Sequence, residues 1–208
     1  MMEVLLVDDH DLVNAGLTAL LAETGQFSVS GRARTLACAK SFIEKAAQED
    51  GEKMPALVIL DVQLGRDNGL EFIPFLKDFC RAKRVKAPPV LVCSILEDPF
   101  LMRLALDMGA TSYVPKSQGN EELLGAIRAA CHGREYVPYE HSAKMLDISD
   151  AYDLFTKREK VALALLRQGM SNPQIAASMG ICKRTVNNII SNIYIKTGAE
   201  NRAGLMEM

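Results

Sequence analysis

Four of the short apolar stretches in the first 116 residues of the chain end in side chains that could carry out chemistry. Asp8 and Asp9 follow one stretch, and Asp61, Ser94 and Lys116 each follow another. Carboxylates that lie close together repel one another unless a cation joins them, and an oxygen-rich site that also takes phosphate suits Mg²⁺. A carboxylate can then attack a phosphoryl group, while an ammonium and a hydroxyl hold its oxygens. These residue types therefore predict a Mg²⁺-dependent site that accepts a phosphoryl group.

The stretch that leads to Asp61 is the best defined of these elements. Residues 56–60 are apolar without interruption, Pro55 precedes them, and the turn formers Gly65 and Gly69 follow. A run of this kind is typical of a buried strand in a parallel sheet, and ligands bind at the carboxyl ends of such strands. Considered alone, Asp61 could equally well cap the next helix. The polar ends of the other strands favour a ligand site.

Strands and helices are predicted to alternate through the first part of the chain. The predicted strands are Glu3–Val7, Phe27–Gly31, 56–60, Val90–Cys93 and Ser112–Val114. The alternation indicates an α/β doubly wound, five-stranded parallel sheet of the flavodoxin-like kind, with right-handed crossovers. In the strand order 2-1-3-4-5, the first and third strands are neighbours, so their terminal carboxylates would share one crevice.

Charge is unevenly distributed along the 208 residues, whose formal net charge is −2. Residues 1–133 carry 14 Lys and Arg against 18 Asp and Glu, residues 134–153 carry 2 against 5, and residues 154–208 carry 8 against 3. We therefore predict an acidic domain at 1–133, an acidic linker without periodicity at 134–153, and a small basic domain at 154–208 that faces a polyanion.

The cysteines and histidines show no spacing typical of a zinc site or a disulfide framework, so buried free thiols are expected. No run of about 18 apolar residues is present, which predicts that no helix spans a membrane. The N-terminal stretch lacks the basic start and the long apolar region of a signal peptide. We therefore expect a cytoplasmic protein.

At its polar strand ends the chain resembles the receiver domain of two-component response regulators, from Glu3 to about Gly133. The resemblance implies a phosphoacceptor at Asp61, phosphoryl contacts from Lys116 and Ser94, Mg²⁺ ligands from Asp8, Asp9, Asp61 and the backbone carbonyl of Gln63, and a switch formed by Ser94 and Tyr113. Phosphorylation would then draw Ser94 inward and let the ring of Tyr113 turn into the vacated space.

Three features near this constellation have simpler interpretations or depart from the family pattern. Tyr113 could instead be a core tyrosine whose hydroxyl is satisfied, and His10, beside the acidic pair, is expected to be an exposed loop residue. Ser117 stands after the lysine where many receivers have a cis proline, and the proline here, Pro115, precedes Lys116 instead. The geometry of that loop therefore remains open at this point.

The last 55 residues are predicted to be helical. Capping boxes at 156–159 and 171–174 open two helices, at about 157–168 and 172–179, which Gly169 and Gly180 close. The turn at Gly180 leads to a third helix, and a short fourth helix begins near Asn201. A helix-turn-helix pair of this kind has the shape of a reader of the DNA major groove.

The third helix of this region, from about Lys183 to Lys196, has two faces. Val186, Ile189, Ile190 and Ile193 have helical spacing and are expected to be core. The opposite side carries residues that can reach base edges and phosphates, or that simply form a solvated polar face. The predicted DNA contacts are Lys183, Arg184, Asn187, Asn188, Ser191 and Lys196.

Residues 154–208 resemble the LuxR-type helix-turn-helix, so the whole chain is similar to the NarL/FixJ class of transcription factors. This resemblance implies DNA as a partner, a sensor histidine kinase as the phosphodonor, and a homodimer after phosphorylation. The family usually has lysine at the position of Asn187, often histidine at Ile189, and serine at the helix cap Cys182. These departures and the short last helix predict weaker DNA binding.

Two other function classes compete with the regulator. A phosphatase that uses Asp61 covalently would place a second aspartate two residues later, where Gln63 stands. A signalling relay whose helix-turn-helix binds proteins, with weak or no affinity for DNA, is consistent with Asn187 and Ile189. The leading hypothesis is a phosphorylation-switched regulator, not an enzyme, that binds DNA and controls transcription, with the unphosphorylated receiver restraining the DNA-binding domain.

Overall fold

The structure is a computed structural model that describes residues 1–48, 53–65 and 67–206. The polar, charged stretch from Gln48 to Lys53, whose sequence predicts a loop, therefore lies mostly outside the described residues. None of the described helices combines the length and the apolar character that a membrane crossing requires.

Packing divides the chain into two compact units. The first consists of Met1–Glu97 and Ala105–His141, and the second of Asp98–Leu104 and Ser142–Met208. The division into a receiver at 1–133, a linker and a DNA-binding domain at 154–208 stays a prediction.

The strands of the first unit form one parallel sheet and one small hairpin. The strands are β1 (Met2–Val7), β2 (Phe27–Ala33), β3 (Leu57–Leu60), β4 (Gln63–Leu64), β5 (Asp67–Asn68), β6 (Val90–Ser94) and β7 (Ser112–Pro115). The parallel sheet has the order β2-β1-β3-β6-β7, which confirms the predicted doubly wound architecture. The antiparallel pair β4–β5 lies in the loop that follows β3 and was not predicted from the sequence.

Helices follow the sheet strands in alternation and then make up the rest of the chain. They are α1 (Asp11–Glu23), α2 (Leu36–Gln48), α3 (Phe72–Lys83), α4 (Pro99–Met108), α5 (Asn120–Cys131), α6 (Tyr139–Asp147), α7 (Ser149–Asp153), α8 (Lys157–Arg167), α9 (Asn172–Ser178), α10 (Lys183–Thr197) and α11 (Arg202–Met206). A 3-10 turn at Gly69–Glu71 precedes α3. These bounds agree with most of the predicted helices to within a residue or two.

The central strands form the core of the first unit. Val4, Leu6, Leu57 and Ile59 are buried and belong to one cluster with residues of α1 and α5. Burying each such side chain contributes about 1.5–3 kcal/mol relative to leaving it in water. Because helices cover both faces of a parallel sheet, β3 and the second part of β1 are continuously apolar and buried instead of alternating.

The segment 134–153 is helical, whereas the sequence predicted a linker without periodicity. It contains α6 and α7. In α6 the buried side chains are His141 and Met145, while Tyr139 and Leu146 are exposed. A polar residue in the buried row and large apolar residues outside it hide the helical period, so the sequence pattern was misleading here.

The second unit is built around α8, α9 and α10. Both predicted capping boxes are present, at Thr156 with Glu159 and at Ser171 with Gln174. The buried positions of α10 include Val186, and the helix ends at Gly198, whose φ of 69° is a left-handed cap that favours glycine.

The same unit includes the first half of α4. The ring of Phe100 meets that of Tyr152 edge-on, with 4.8 Å between the ring centroids, and Phe155 lies 6.0 Å from Phe100. The guanidinium Nε of Arg167 donates to Oδ2 of Asp98 at 2.7 Å. An aromatic cluster and an ion pair therefore hold residues 98–104 to this unit.

Candidate functional sites

The predicted phosphoryl site lies at the carboxyl ends of β1 and β3, which are neighbours in the sheet. The backbone N–H of Asp61 donates to the carbonyl of Val7 at 2.8 Å, so the sheet ladder continues into the site. Asp8 and Asp61 are buried, with 4% and 3% of their surfaces exposed, and Asp9 is half-buried. The crossover order of the strands thus brings together side chains that are more than 50 positions apart in sequence.

Lys116 joins two of the carboxylates. Its Nζ donates to Oδ2 of Asp8 at 2.6 Å and to Oδ2 of Asp61 at 2.7 Å. Burial alone would lower the pKa of Lys116, but the hydrogen bonds from the ammonium to Asp61 and Asp8 outweigh burial, and its pKa is raised. Lys116 therefore stays charged and holds the two carboxylates close together.

The donor set fits a hard divalent cation. Asp8, Asp9, His10 and Asp61 each offer a ligand atom, and these atoms all lie within 4.8 Å of one another. Oδ1 of Asp9 is buried and accepts no hydrogen bond from the described residues. A buried carboxylate oxygen without a donor is costly unless a cation or water meets it, and Mg²⁺ prefers such oxygens.

The loop after Asp61 packs against the end of β3 and fixes the Asp61 carboxylate. The N–H of Gln63 donates to Oδ1 of Asp61 at 3.3 Å, and Oδ1 of Asn68 accepts from the N–H of Leu70 at 3.1 Å. A Cβ on Gly69 would lie 1.9 Å from the carbonyl oxygen of Asp61. The sequence marked Gly69 only as a loop former, whereas the structure shows that its missing side chain is what lets the loop pack against the strand end.

The two predicted switch residues are both buried. Ser94 has no exposed surface, its Oγ accepts from the N–H of Leu96 at 3.4 Å, and its carbonyl accepts from the N–H of Lys116 at 2.7 Å. The hydroxyl of Tyr113 donates to the carbonyl of Leu96 at 2.7 Å, and its ring is fully buried. The ring lies inside in this structure, and the switch formed by Ser94 and Tyr113 stays a prediction.

Ser117, which departs from the family pattern, connects two loops at the site. Its Oγ donates to Oε1 of Glu97 at 2.6 Å. Glu97 follows β6 and Ser117 follows β7, so the hydrogen bond crosses between neighbouring strand ends. A serine here supplies a contact that a proline could not make.

Two residues that the sequence did not assign to the site also belong to it. The Asn14 amide donates to the carbonyls of Asp8 at 2.9 Å and His10 at 3.2 Å, which fixes the acidic loop from the first turn of α1. Burial raises the pKa of the Cys93 thiol to about 12, with the charge of Lys116 opposing the shift and those of Asp61 and Asp8 adding to it. A polar residue among the apolar positions of α1 was the available signal for Asn14.

The thiols are not uniformly buried. Cys80 and Cys93 are buried as predicted, but Cys38 and Cys182 are exposed. Cys182 is the N-cap of α10, as the sequence indicated, and its side chain makes no hydrogen bond to the helix N–H groups. The hydrogen bond with the Thr185 hydroxyl is the main cause that lowers the pKa of Cys182.

The predicted DNA-reading helix presents a polar face. All six predicted contacts on α10 are exposed, namely Lys183, Arg184, Asn187, Asn188, Ser191 and Lys196. Opposite them, Val186, Ile190 and Ile193 are buried, while Ile189 is only half-buried. Oδ1 of Asn187 accepts from the amide of Asn172 at 2.8 Å, so its amide nitrogen is the group left to face outward.

Lys196 differs from the other predicted DNA contacts because its ammonium group contacts residues outside α10. Its Nζ donates to Oε2 of Glu159 at 2.6 Å and to the carbonyl of Leu154 at 3.0 Å. Burial would raise the pKa of Glu159, but hydrogen bonds from Lys196 and Thr156 lower it overall. Lys196 therefore connects α10 to α8 through Glu159, and its contact with DNA stays a prediction.

Family models match both parts of the chain. A model of the response regulator receiver domain matches residues 4–128, and a model of bacterial regulatory proteins of the luxR family matches residues 153–208. The chain belongs to the response regulators. The predicted NarL/FixJ class is confirmed, and so is a function in transcriptional regulation instead of enzymatic turnover.

Individual relatives span both domains. The chain is similar to the DNA-binding transcriptional activator DevR/DosR of Mycobacterium tuberculosis, at 31% identity over 97% of this chain and 91% of the relative. It is 29% identical to the response regulator protein VraR of Staphylococcus aureus, over 96% of this chain and 92% of that protein. A structure of RcsB from Salmonella enterica serovar Typhimurium bound to promoter P1flhDC has the same fold, with a TM-score of 0.76, 20% identity, and coverage of 99% and 96%.

Proposed function

We propose that this response regulator accepts a phosphoryl group on Asp61 with the help of Mg²⁺ and that phosphorylation controls its binding to DNA. The proposal rests on one observation above all, the double contact of Lys116 with Asp8 and Asp61 at the ends of adjacent strands. A sensor histidine kinase is the proposed donor. The protein would act in the cytoplasm, where the chromosome is accessible.

The chemistry requires little from the protein beyond position and charge. A carboxylate oxygen of Asp61 attacks the phosphorus of a phosphohistidine, the P–O bond forms as the P–N bond breaks, and the leaving nitrogen takes a proton from water to give neutral imidazole. Lys116 and the Ser94 hydroxyl then hold oxygens of the phosphoryl group. A Mg²⁺ ion held by Asp8, Asp9, Asp61 and the Gln63 carbonyl would neutralise charge on the incoming group.

Phosphorylation of Asp61 is tested by intact-mass measurement after incubation with acetyl phosphate and Mg²⁺. Wild type should gain one phosphoryl group, Asp61→Asn should gain none, and chelation of Mg²⁺ should abolish the adduct. Asp78→Asn is the matched control, because this aspartate is exposed on α3, where it pairs with Arg81. An adduct of equal yield on Asp61→Asn would reject the assignment.

DNA binding is supported by the polar face of α10 on a segment with a net charge of +5, from 8 Lys and Arg against 3 Asp and Glu in 154–208. Related structures show RcsB on promoter DNA and RcsB dimers bound to DNA. We therefore propose a phosphorylation-dependent homodimer that reads paired half-sites with Arg184, Asn187, Asn188 and Ser191. Lys183, at the start of the helix, is proposed to contact phosphate.

The DNA-binding proposal is tested by fluorescence anisotropy on genomic fragments over a range of salt concentrations. Specific binding should tighten on phosphorylation and weaken steeply with salt. Arg184→Ala should weaken binding, and Asn187→Ala should change the preference at one base pair by about 1–3 kcal/mol. If neither phosphorylated nor unphosphorylated protein binds any fragment, a protein-binding relay becomes the better assignment.

A further inference from the structure

Residues 134–141, which we call the strap, cover the open edge of the parallel sheet. β7 is the last strand in the sheet order and pairs with β6 on one side. On its other side the N–H of Tyr113 donates to the carbonyl of Tyr136 at 3.0 Å, and the N–H of Tyr136 donates to the carbonyl of Thr111 at 3.4 Å. An edge strand has unpaired backbone groups unless another segment covers them. The strap therefore closes this edge beside the proposed switch residue Tyr113.

The side chain of Tyr136 fastens the strap to α5. Its hydroxyl donates to Oε1 of Glu122, and its ring packs against the core cluster of the first unit. Burial, together with the hydrogen bond and the charge of Glu122, raises the pKa of the Tyr136 hydroxyl to about 12, so this group stays a donor at neutral pH. A hydrogen bond to a carboxylate is about twice as strong as one between neutral groups. Tyr136 is therefore the main anchor of the strap.

The far end of the strap meets the two loops that carry Ser94 and Lys116. His141 is buried, and its Nε2 lies 3.7 Å from Oε2 of Glu97. The other carboxylate oxygen of Glu97 accepts from Oγ of Ser117 at 2.6 Å. Glu97 belongs to the loop that begins at Ser94, and Ser117 is the neighbour of Lys116. One carboxylate thus joins the strap to both strand-end loops that are proposed to hold the phosphoryl group.

The end of the strap at His141 is held less firmly than the end at Tyr136. The 3.7 Å between His141 and Glu97 is longer than a hydrogen bond. Nδ1 of His141 is buried and has no hydrogen-bond partner among the residues that the structure describes. Burying a ring nitrogen without a partner costs free energy. This end of the strap is therefore the one that opens more readily.

We propose that the strap stays fastened while Asp61 is unphosphorylated, that phosphorylation releases it, and that the release lets the C-terminal helices bind DNA more tightly. α6 begins within the strap at Tyr139 and continues into the second unit, so fastening the strap restrains the start of that unit. This inference rests on the proposed function and deepens it, because it names the element that carries the signal out of the phosphoryl site.

The release follows from the movements that binding a phosphoryl group requires. Lys116 and Ser94 are proposed to hold phosphoryl oxygens, so both leave the positions that they occupy in this structure. Each belongs to the same loop as one partner of the hydrogen bond between Ser117 and Glu97. When these loops shift, the Glu97 carboxylate turns away from His141, and the loosely held end of the strap opens first.

Hydrogen–deuterium exchange of the unphosphorylated full chain tests whether the strap is fastened as described. Tyr136→Phe keeps the ring but removes the hydrogen bond to Glu122, and it should speed exchange of the strap amides by about tenfold. Ser117→Ala should speed exchange near His141 by about threefold and leave the amides around Tyr136 unchanged. Tyr139→Phe is the matched control within the strap, because Tyr139 is exposed, and it should exchange like wild type. The urea midpoint of each variant separates local opening from global destabilisation.

The effect on output is measured on the same proteins. Wild type that has been phosphorylated with acetyl phosphate and Mg²⁺, with the adduct verified by intact mass, should exchange its strap amides about tenfold faster than before. Unphosphorylated Tyr136→Phe should bind DNA fragments about fivefold or more tightly than unphosphorylated wild type in fluorescence anisotropy. Tyr139→Phe should match wild type in both measurements.

Three results would each overturn the proposal. Equal strap exchange in wild type and Tyr136→Phe would show that Tyr136 does not fasten the strap. Unchanged strap exchange in wild type that carries the phosphoryl group would show that phosphorylation does not release it. Faster exchange in Tyr136→Phe without tighter DNA binding would show that the strap does not control output. A protein that gains no phosphoryl group would reject the proposed function instead, and the unphosphorylated variants would still decide whether the strap restrains DNA binding.

Discussion

At the scale of single residues, Lys116 is the side chain on which the electrostatics of the phosphoryl site depend. It offsets the repulsion between two buried carboxylates by contacting both. We predict that Lys116→Met lowers the free energy of unfolding by about 1–3 kcal/mol, because it leaves Asp8 and Asp61 without their cation. Urea unfolding with and without Mg²⁺ measures this, and added Mg²⁺ should restore more stability to the variant than to wild type.

The titration of Lys116 has a defined sign. Its pKa is raised in the folded protein, so its contribution is fully present below the unfolded value of about 10.4 and is lost as the pH rises through the higher folded value. The difference in stability between wild type and Lys116→Met should therefore shrink in alkaline urea titrations. The pH range should extend to about 11, which is above the unfolded pKa of lysine. If the stability difference between wild type and Lys116→Met stays constant up to that pH, the ion-pair explanation is contradicted.

The contribution of the Tyr113 hydroxyl to stability can be tested by a single substitution. Tyr113→Phe keeps the buried ring but removes the hydrogen bond to the Leu96 carbonyl. We predict a loss of about 0.5–1.5 kcal/mol in the free energy of unfolding, with phosphorylation of Asp61 still possible. Thermal and urea unfolding measure the first effect and intact mass the second. Unchanged stability would show that the Leu96 carbonyl finds an equal partner in water.

At the scale of elements, α10 separates structural lysines from proposed DNA-contacting lysines. Lys196→Gln should lower the stability by about 1–2 kcal/mol, because Glu159 is buried and hydrogen-bonded to it. Lys183→Gln is the matched control, since Lys183 is exposed at the other end of the same helix. It should leave stability unchanged but reduce the salt dependence of DNA binding by about one phosphate contact. If Lys196→Gln instead leaves stability unchanged and reduces the salt dependence of DNA binding, Lys196 is a DNA contact and not a structural lysine.

The pH dependence of this ion pair also follows from its position. The pKa of Glu159 is lowered in the folded protein, so its contribution is present above the unfolded value and is lost as the pH falls through the lower folded value. The stability difference between wild type and Lys196→Gln should therefore disappear in acid and be full at neutral pH.

The secondary-structure elements also show which parts of the fold can be predicted from the sequence. Uninterrupted apolar runs and capping boxes were enough to predict the sheet, its carboxyl-end residues and the helix starts. The β4–β5 pair was missed because each strand has only two residues, and α6 was missed because His141 occupies a buried position. His10 is exposed, as predicted, but the contact of its ring with the carboxylates of Asp8 and Asp9 was not predicted, because a loop side chain has no periodicity from which its direction could be read.

At the scale of the whole molecule, the distribution of charge is the sequence property with the widest consequence. Residues 1–153 carry 16 Lys and Arg against 23 Asp and Glu, whereas 154–208 carry an excess of cations. We predict that the fragment 150–208 binds DNA without phosphorylation and more tightly than the unphosphorylated full chain at low salt, because the acidic part competes with DNA for the basic one. Anisotropy at matched salt measures both. Equal affinities at every salt concentration would leave dimerisation as the only effect of phosphorylation.

The contact between Gly69 and the carbonyl of Asp61 has a consequence for variation in this chain. No side chain fits there, since even a methyl carbon would lie 1.9 Å from the carbonyl oxygen of Asp61. This oxygen belongs to the backbone at the end of β3, so it cannot move aside as a flexible side chain could. A library randomised at position 69 and selected for phosphorylation should therefore return glycine almost alone, whereas the neighbouring exposed position Asp67 should accept many residues. The most restricted position of the phosphoryl site would then be one that carries no functional group.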